Sequence, residues 1–168
     1  LLDFTMDDLK EVPKETFVKR VERVKAKTNG KLIVKEYPTG SAGSAHFRHL
    51  VNELRLKKDF FPDIIFIDYI NICCSSRIKN GLAVNSYTLI KSIAEELRGL
   101  AVELNVPIIT GTQTRRDGNS SSDPSMEDVS SSFGLPETAD FMIALVNSEE
   151  LESLGQIMVK QLKNRFGD

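Results

Sequence analysis

The chain has no tryptophan, only two histidines and two cysteines, no apolar run of membrane-spanning length and no large excess of charge of either sign. Each absence closes a route. The cysteines, Cys73 and Cys74, are adjacent, which disfavours an ordinary disulfide, and no Cys or His partner stands at zinc-ligand spacing. Neither a disulfide framework nor a structural zinc site is expected. No stretch approaches the roughly 20 apolar residues of a membrane span, and residues 1–8 lack the basic flank and long apolar core of a secretory signal. The expectation is a cytoplasmic protein with no membrane contact. Lys and Arg total 22 against 24 Asp and Glu, a formal charge of -2, which excludes a generally basic nucleic-acid coat. Any nucleic-acid contact must be local, carried by basic loops on a near-neutral body. A phosphate-binding P-loop is missing too. It needs Gly, four residues, then Gly-Lys and Ser or Thr, because loop amides and the Lys hold the phosphates. The only Gly-Lys is Gly30-Lys31, followed by Leu32, with Lys25 where the first Gly should stand.

What is present, 168 residues with 40% hydrophobic and 27% charged, suffices for one ordinary globular core and not for two, so residues 1–168 read as a single domain. The chain opens on Leu1-Leu2-Asp3 without a methionine and ends just after a strand-like segment, which predicts a piece of a longer protein. Over residues 13–27, Phe17, Val21 and Val24 recur at helical steps between charged residues, and Asn29-Gly30 ends the pattern. Residues 32–34 are a short apolar run leading into Tyr37-Pro38-Thr39-Gly40, which predicts a buried strand and a turn. A second helix begins near Ser44, with Phe47, Leu50, Val51 and Leu54 on one face and a basic end at Arg55, Lys57 and Lys58. Residues 64–67 form a continuous apolar run bounded by Asp63 and Asp68, as expected of a strand covered on both faces.

Over residues 85–105, Leu89, Ile93, Leu97, Leu100 and Leu104 keep helical spacing. A further buried strand follows over 107–113, then a polar loop over 114–124. Residues 141–146 and 157–162 are the last strand candidates. The connection between them, 148–155, is short for a crossover helix and suits a hairpin equally well. Strands alternating with helices imply an α/β fold with a mostly parallel sheet. There is no internal repeat.

Ligands of open parallel sheets collect beyond the carboxyl ends of the strands, so polar residues there matter most. Asp68 ends the run 64–67; a strand-end carboxylate needs a pair, hydrogen bonds or a cation, and a magnesium ion held through water would serve. A simple turn cap is the bland alternative. Gln113 can orient a water or a phosphate from its strand end, or merely shape a turn. Lys163 and Arg165 have period-two spacing, so on a strand they leave the same face, where their mutual repulsion invites an anionic partner. A charged edge strand that discourages aggregation is the alternative. Arg77 and Lys79 follow the Asp68 strand, and Arg115 and Arg116 follow Gln113. Both loops should leave the same end of the sheet and could meet a sugar-phosphate backbone, and their lack of aromatic tips favours phosphate contact over base stacking.

Taken together, these segments resemble the RecA-like motor domain of replicative hexameric DNA helicases of the DnaB type, with the nearest likeness to those of T-even-like bacteriophages. The resemblance runs over nearly the whole chain. Asp63-Ile64-Ile65-Phe66-Ile67-Asp68-Tyr69 is similar to the Walker B segment, with Asp68 at the magnesium-associated position. Ala94-Glu95-Glu96-Leu97-Arg98-Gly99-Leu100-Ala101, then Asn105-Val106-Pro107 and the strand to Gln113, is similar to the segment ending in the family's phosphate-sensing Gln. Ser131-Ser132-Phe133-Gly134-Leu135-Pro136-Glu137-Thr138-Ala139-Asp140 resembles the motif after the second DNA loop, and Lys160-Gln161-Leu162-Lys163-Asn164-Arg165 the Lys-x-Arg element that reaches a neighbouring subunit's nucleotide.

The resemblance implies an ATP-hydrolysing, magnesium-dependent ring motor: a hexamer that moves along single-stranded DNA, unwinds duplex and works with a primase and a helicase loader, in the bacterial cytoplasm if phage-encoded. Asp68, Gln113, Lys163 and Arg165 would serve hydrolysis, and Arg77, Lys79, Arg115 and Arg116 would touch DNA. The family's Walker A lysine and catalytic glutamate have no counterpart here. The resemblance therefore places them, and an amino-terminal domain, ahead of this segment, and these residues alone should bind nucleotide poorly and hydrolyse none. A recombinase-type RecA-like ATPase shares the strand-end Asp and the DNA loops, although Lys163-x-Arg165 favours the helicase. A magnesium nuclease using Asp63, Asp68 and Asp140 is disfavoured because Asp63 and Asp68 close opposite ends of one strand. A non-enzymatic DNA-binding or assembly module is the remaining reading.

Overall fold

The computed structural model describes residues 5, 7–78, 85–113 and 134–167. The chain falls into two compact units, Leu1–Glu36 and Tyr37–Asp168. In the first, a short helix α1 (Asp8–Glu11) precedes α2 (Lys14–Lys27). The Pro13 carbonyl accepts from the amides of Thr16 and Phe17, which starts α2 where the sequence pattern begins. The apolar stripe is real but shallow, since Phe17 and Val21 remain 37% and 38% exposed. Residues 32–34, expected as a buried strand, form none, and Leu32 and Val34 stand open to solvent. An apolar triplet becomes a strand only by pairing, and among the described residues nothing pairs with it.

The second unit is organised around one long helix. First comes α3 (Ser44–Lys58), which ends in a left-handed Asp59. Its N-cap is Gly43, and the position admits nothing larger because a Cβ there would lie 2.1 Å from the Cys74 carbonyl oxygen. The same close approach lets the Cys74 amide donate to the Ala42 carbonyl at 2.8 Å. Strand β1 (Ile65–Ile67) follows, then a single 3-10 turn at Ile70–Ile72. Helix α4 (Ser86–Leu104) is capped by the Asn85 side chain, which accepts from the Tyr87 amide, and closes on a left-handed Asn105. It crosses back to β2 (Ile108–Thr110), which pairs with β1 in parallel, Ile65 beside Ile108 and Ile67 beside Thr110. This is the βαβ unit that the alternating pattern predicts.

Ile93, Leu97 and Leu100 of α4 are buried, and Ile90, Ile93, Ala94 and Leu97 join Ile70, Cys73 and Leu135 in the main core. The β1 run was expected to be covered on both faces; Ile67 packs on the core, whereas Phe66 is 68% exposed. Only one face of β1 and β2 is covered among the described residues, because α4 lies on that side. Helix α5 (Gly134–Thr138) then leads into β3 (Phe141–Val146). A short helix α6 (Glu149–Ser153) fills the connection to β4 (Met158–Asn164), which returns antiparallel. Of the two connections that the sequence allows here, the chain takes the hairpin. A register shift opposite Met142 and Ile143 leaves Leu162 as the extra residue of β4.

Candidate functional site

The parallel register carries β1 and β2 to a common end, where Asp68 and Gln113 emerge. The two strands stay tied past the sheet. The Thr110 hydroxyl donates to the Ile67 carbonyl at 2.8 Å, the Ile70 amide to the Gly111 carbonyl at 3.2 Å, and the Thr112 hydroxyl to Asn71 Oδ1 at 2.9 Å. Asp68 and Gln113 are both exposed. Among the described residues nothing hydrogen-bonds or pairs with either side chain. No three His, Cys, Asp or Glu side chains gather into a cage among those residues either. A lone open carboxylate at a strand end suits magnesium, which keeps most of its waters and takes one or two carboxylates with substrate phosphates. The nuclease trio finds no support in this arrangement. Asp63 lies before β1 and Asp68 after it, and Asp140 is held by arginines.

The segment after the 3-10 turn is anchored by a residue that the sequence patterns do not single out. Glu96 of α4 is 8% exposed and forms no ion pair among the described residues. Its carboxylate accepts from the hydroxyls of Ser44 (2.8 Å), Ser75 and Ser76 (2.9 Å) and from the Ser76 amide at 3.1 Å. Burial alone would raise this carboxyl, but the hydrogen bonds from Ser75, Ser44 and Ser76 outweigh it and bring it down to about 2. The start of α3 and residues 75–77 are thus held against α4. The signal was available: Glu96 sits between Ile93 and Leu97 on the apolar stripe, where a carboxylate must find donors. Cys73 is buried in the main core, and burial followed by the charge of Cys74 pushes its thiol up to about 11, which leaves it an inert core residue.

Of the four cations assigned to the loops, only Arg77 is described; Lys79, Arg115 and Arg116 lie outside the described residues. Arg77 is exposed, and its guanidinium pairs with Glu95 of α4 at 2.8 Å. Such a half-exposed pair is worth at most about 1 kcal/mol and can be exchanged for a phosphate.

Lys163 and Arg165 converge on one short segment, as their spacing predicts. Lys163 Nζ donates to the Pro136 carbonyl at 2.5 Å, and Arg165 Nη2 to the Glu137 carbonyl at 2.7 Å. Arg165 Nη1 lies 2.7 Å from the Asp140 carboxylate, which also receives Arg98 Nη2 of α4 at 3.1 Å. Lys91 of α4 pairs with Glu137 at 2.9 Å, and that hydrogen bond raises the Lys91 ammonium above its ordinary value. Arg165 thus has an anionic partner within the chain, Asp140, whereas Lys163 is held by a backbone carbonyl of α5.

Comparison with known proteins gives the family and the fold. The profile of the "DnaB-like helicase C terminal domain" family matches residues 6–168. A DnaB-like replicative helicase of Enterobacteria phage T4 is 46% identical over the whole chain, which spans 36% of that relative. A probable plasmid replicative DNA helicase of Chlamydia muridarum is 34% identical over 70% of the chain and 25% of its own length. The ATPase domain of G40P superposes with a TM-score of 0.73 at 19% identity, over 99% of this chain and 56% of that one. A DnaB-like replicative helicase described with its interactions with primase gives 0.70 at 20% identity, over 99% and 38%. The fold is accordingly the RecA-like α/β fold of helicase ATPase domains, of which this chain covers a part. The chain belongs to the family of DnaB-like helicase C-terminal domains.

Proposed function

We propose that the chain is part of the motor of an ATP-driven replicative DNA helicase, a ring that translocates on single-stranded DNA and opens duplex. The observation that carries this reading is the division of polar groups within one α/β unit. Asp68 and Gln113 stand open at the shared end of the parallel strands, while Lys163 and Arg165 are gathered at the end of the antiparallel hairpin. The first set suits the nucleotide that a subunit binds itself, and the second suits a nucleotide presented by its neighbour. Asp68 would take magnesium through water, and that ion, when bound, neutralises charge on the transferring phosphoryl group. Gln113, at the tied end of β2, would feel a phosphate or position the attacking water. Arg165 and Lys163 would meet developing charge on the neighbour's γ-phosphate. The phosphates themselves need a P-loop, which no residue here supplies.

Arg77, Lys79, Arg115 and Arg116 would line the DNA path and contact phosphates without reading sequence. Family membership extends the reading to a hexameric ring working with a primase and a loader, in the cytoplasm of a bacterial host. The solved relative described with its primase interactions supports the first of these partners.

The test mixes two inactive variants of the complete protein, Asp68→Asn and Arg165→Ala. In mixed rings some interfaces join an intact Asp68 site to an intact Arg165 from the neighbour, so hydrolysis should partly return. Mixed rings that demonstrably form, yet recover nothing at any ratio, would remove the support for action in trans. Near-normal hydrolysis by a folded Asp68→Asn protein would end the assignment of that carboxylate.

A further inference from the structure

An arginine at the end of a strand is a long, freely rotating side chain, and ordering it costs up to about 2 kcal/mol. A cation that must meet charge developing on another subunit acts well only if that ordering is already done. Arg165 is held at three points. Its backbone amide donates to the Asp140 carbonyl at 2.8 Å, its Nη1 meets the Asp140 carboxylate at 2.7 Å, and its Nη2 meets the Glu137 carbonyl at 2.7 Å. The side-chain contacts engage two of the five N–H groups of a guanidinium, and its planar fork allows others to point elsewhere. Asp140 is itself fixed from behind: Arg98 of α4 donates to it through both Nη2 (3.1 Å) and Nε (3.3 Å). The cleft that Arg165 lines with Arg98, Lys91, Glu95 and Glu137 is open to solvent, so a phosphate can approach this side chain.

We propose that Asp140 is a positioning residue for Arg165: its carboxylate, braced by Arg98, holds the guanidinium against the end of α5 so that its remaining donors face the neighbouring subunit's nucleotide. This rests on Arg165 acting in trans, as proposed above.

The experiment measures steady-state ATP hydrolysis and single-stranded DNA binding by the complete protein carrying Asp140→Asn, which keeps the shape and removes the charge. A guanidinium displaced by about 1 Å should lower kcat by roughly a hundred-fold. KM for ATP and the DNA affinity should stay within about two-fold, because only the transition state is affected. Asp140→Glu, which restores the charge at a shifted position, should recover part of the rate. The double variant Arg165→Ala with Asp140→Asn should be no slower than Arg165→Ala alone, since a positioning residue has nothing left to position. A merely structural role would make the double variant slower by the same factor that Asp140→Asn shows alone, and that result overturns the proposal. Full-speed hydrolysis by Asp140→Asn beside a dead Arg165→Ala also overturns it while leaving the trans reading intact. Wild-type hydrolysis by Arg165→Ala rejects the trans reading itself. Should Asp140→Asn fold poorly, the Asp140→Glu protein, alone and combined with Arg165→Ala, carries the same comparison.

Discussion

The end of the parallel strands and the end of the hairpin carry charge in opposite ways. Asp68 and Gln113 are exposed and have no side-chain partner among the described residues, whereas Lys163 and Arg165 are held by the carbonyls of Pro136 and Glu137 and by Asp140. On the proposed reading, the difference follows from what each would receive. A carboxylate that takes a hydrated cation has to stay open, because any cation fixed beside it would occupy its place. A guanidinium has five donors and can be gripped from one side while it offers the other, so anchoring it costs no capacity. The open end rests instead on a deeper anchor, the Glu96 carboxylate, which fixes the polypeptide that follows Asp68.

The largest effects that separate the two ends are on turnover. Asp68→Asn and Arg165→Ala should each lower ATP hydrolysis by the complete protein by about a thousand-fold or more, as the loss of a phosphoryl-transfer charge does. They should differ in stability. Nothing described holds Asp68, so Asp68→Asn should leave the urea midpoint unchanged, while Arg165→Ala should lower stability by about 1 kcal/mol through the half-exposed pair with Asp140. Equal stability losses would erase the contrast between an open end and an anchored one.

Next in size is the anchor. The Glu96 carboxyl lies at about 2 in the folded chain against an ordinary 4.5. Its folded value is depressed, so its contribution is fully present above about 4.5 and is lost as the pH falls toward about 2. Near pH 7 a shift of that size corresponds to about 3 kcal/mol. Glu96→Gln, which turns an amide toward donors, should cost about that much in urea unfolding at pH 7 and flatten the acid limb of the stability curve between those two values. An acid limb as steep in the variant as in the wild type would show that the carboxylate is not what holds residues 75–77.

Much of this was legible in the chain, for physical reasons that also mark where legibility stops. The helices α3 and α4 announce themselves because a 3.6-residue period and their end residues are local, and Asn85 and Asn105 bracket α4 where the pattern says they should. The βαβ unit follows from two apolar runs with that helix between them, which brings Asp68 and Gln113 to one end without knowledge of any contact. Residues 32–34 were misleading because strand formation depends on a partner that composition does not reveal. Spacing put Lys163 and Arg165 together but not what holds them, since Pro136 and Glu137 lie 27 and 28 residues away. The donors that Glu96 needs were hidden for the same reason, because Ser44 and Ser75 lie 52 and 21 residues away.

The smallest expected effect bears on the loop cations, where the contrast between open and anchored groups is least sharp. Arg77 follows the open end, yet its guanidinium already has a partner in Glu95. If that pair is only a surface contact that DNA phosphate displaces, Arg77→Ala should change stability by less than about 1 kcal/mol. It should also weaken single-stranded DNA binding for every sequence and reduce the slope of log affinity against log salt by about 0.7. Glu95→Gln then supplies the opposite perturbation. It removes the competitor for Arg77, so DNA affinity should rise modestly while the number of phosphate contacts, and hence the slope, stays the same. Replacing Arg77, Lys79, Arg115 and Arg116 together should lower the slope by about 2.8, four times the single step. A quadruple variant with an unchanged slope would place these loops away from the DNA, and an Arg77→Ala protein as salt-sensitive as the wild type would mean that Glu95 keeps this arginine for the fold.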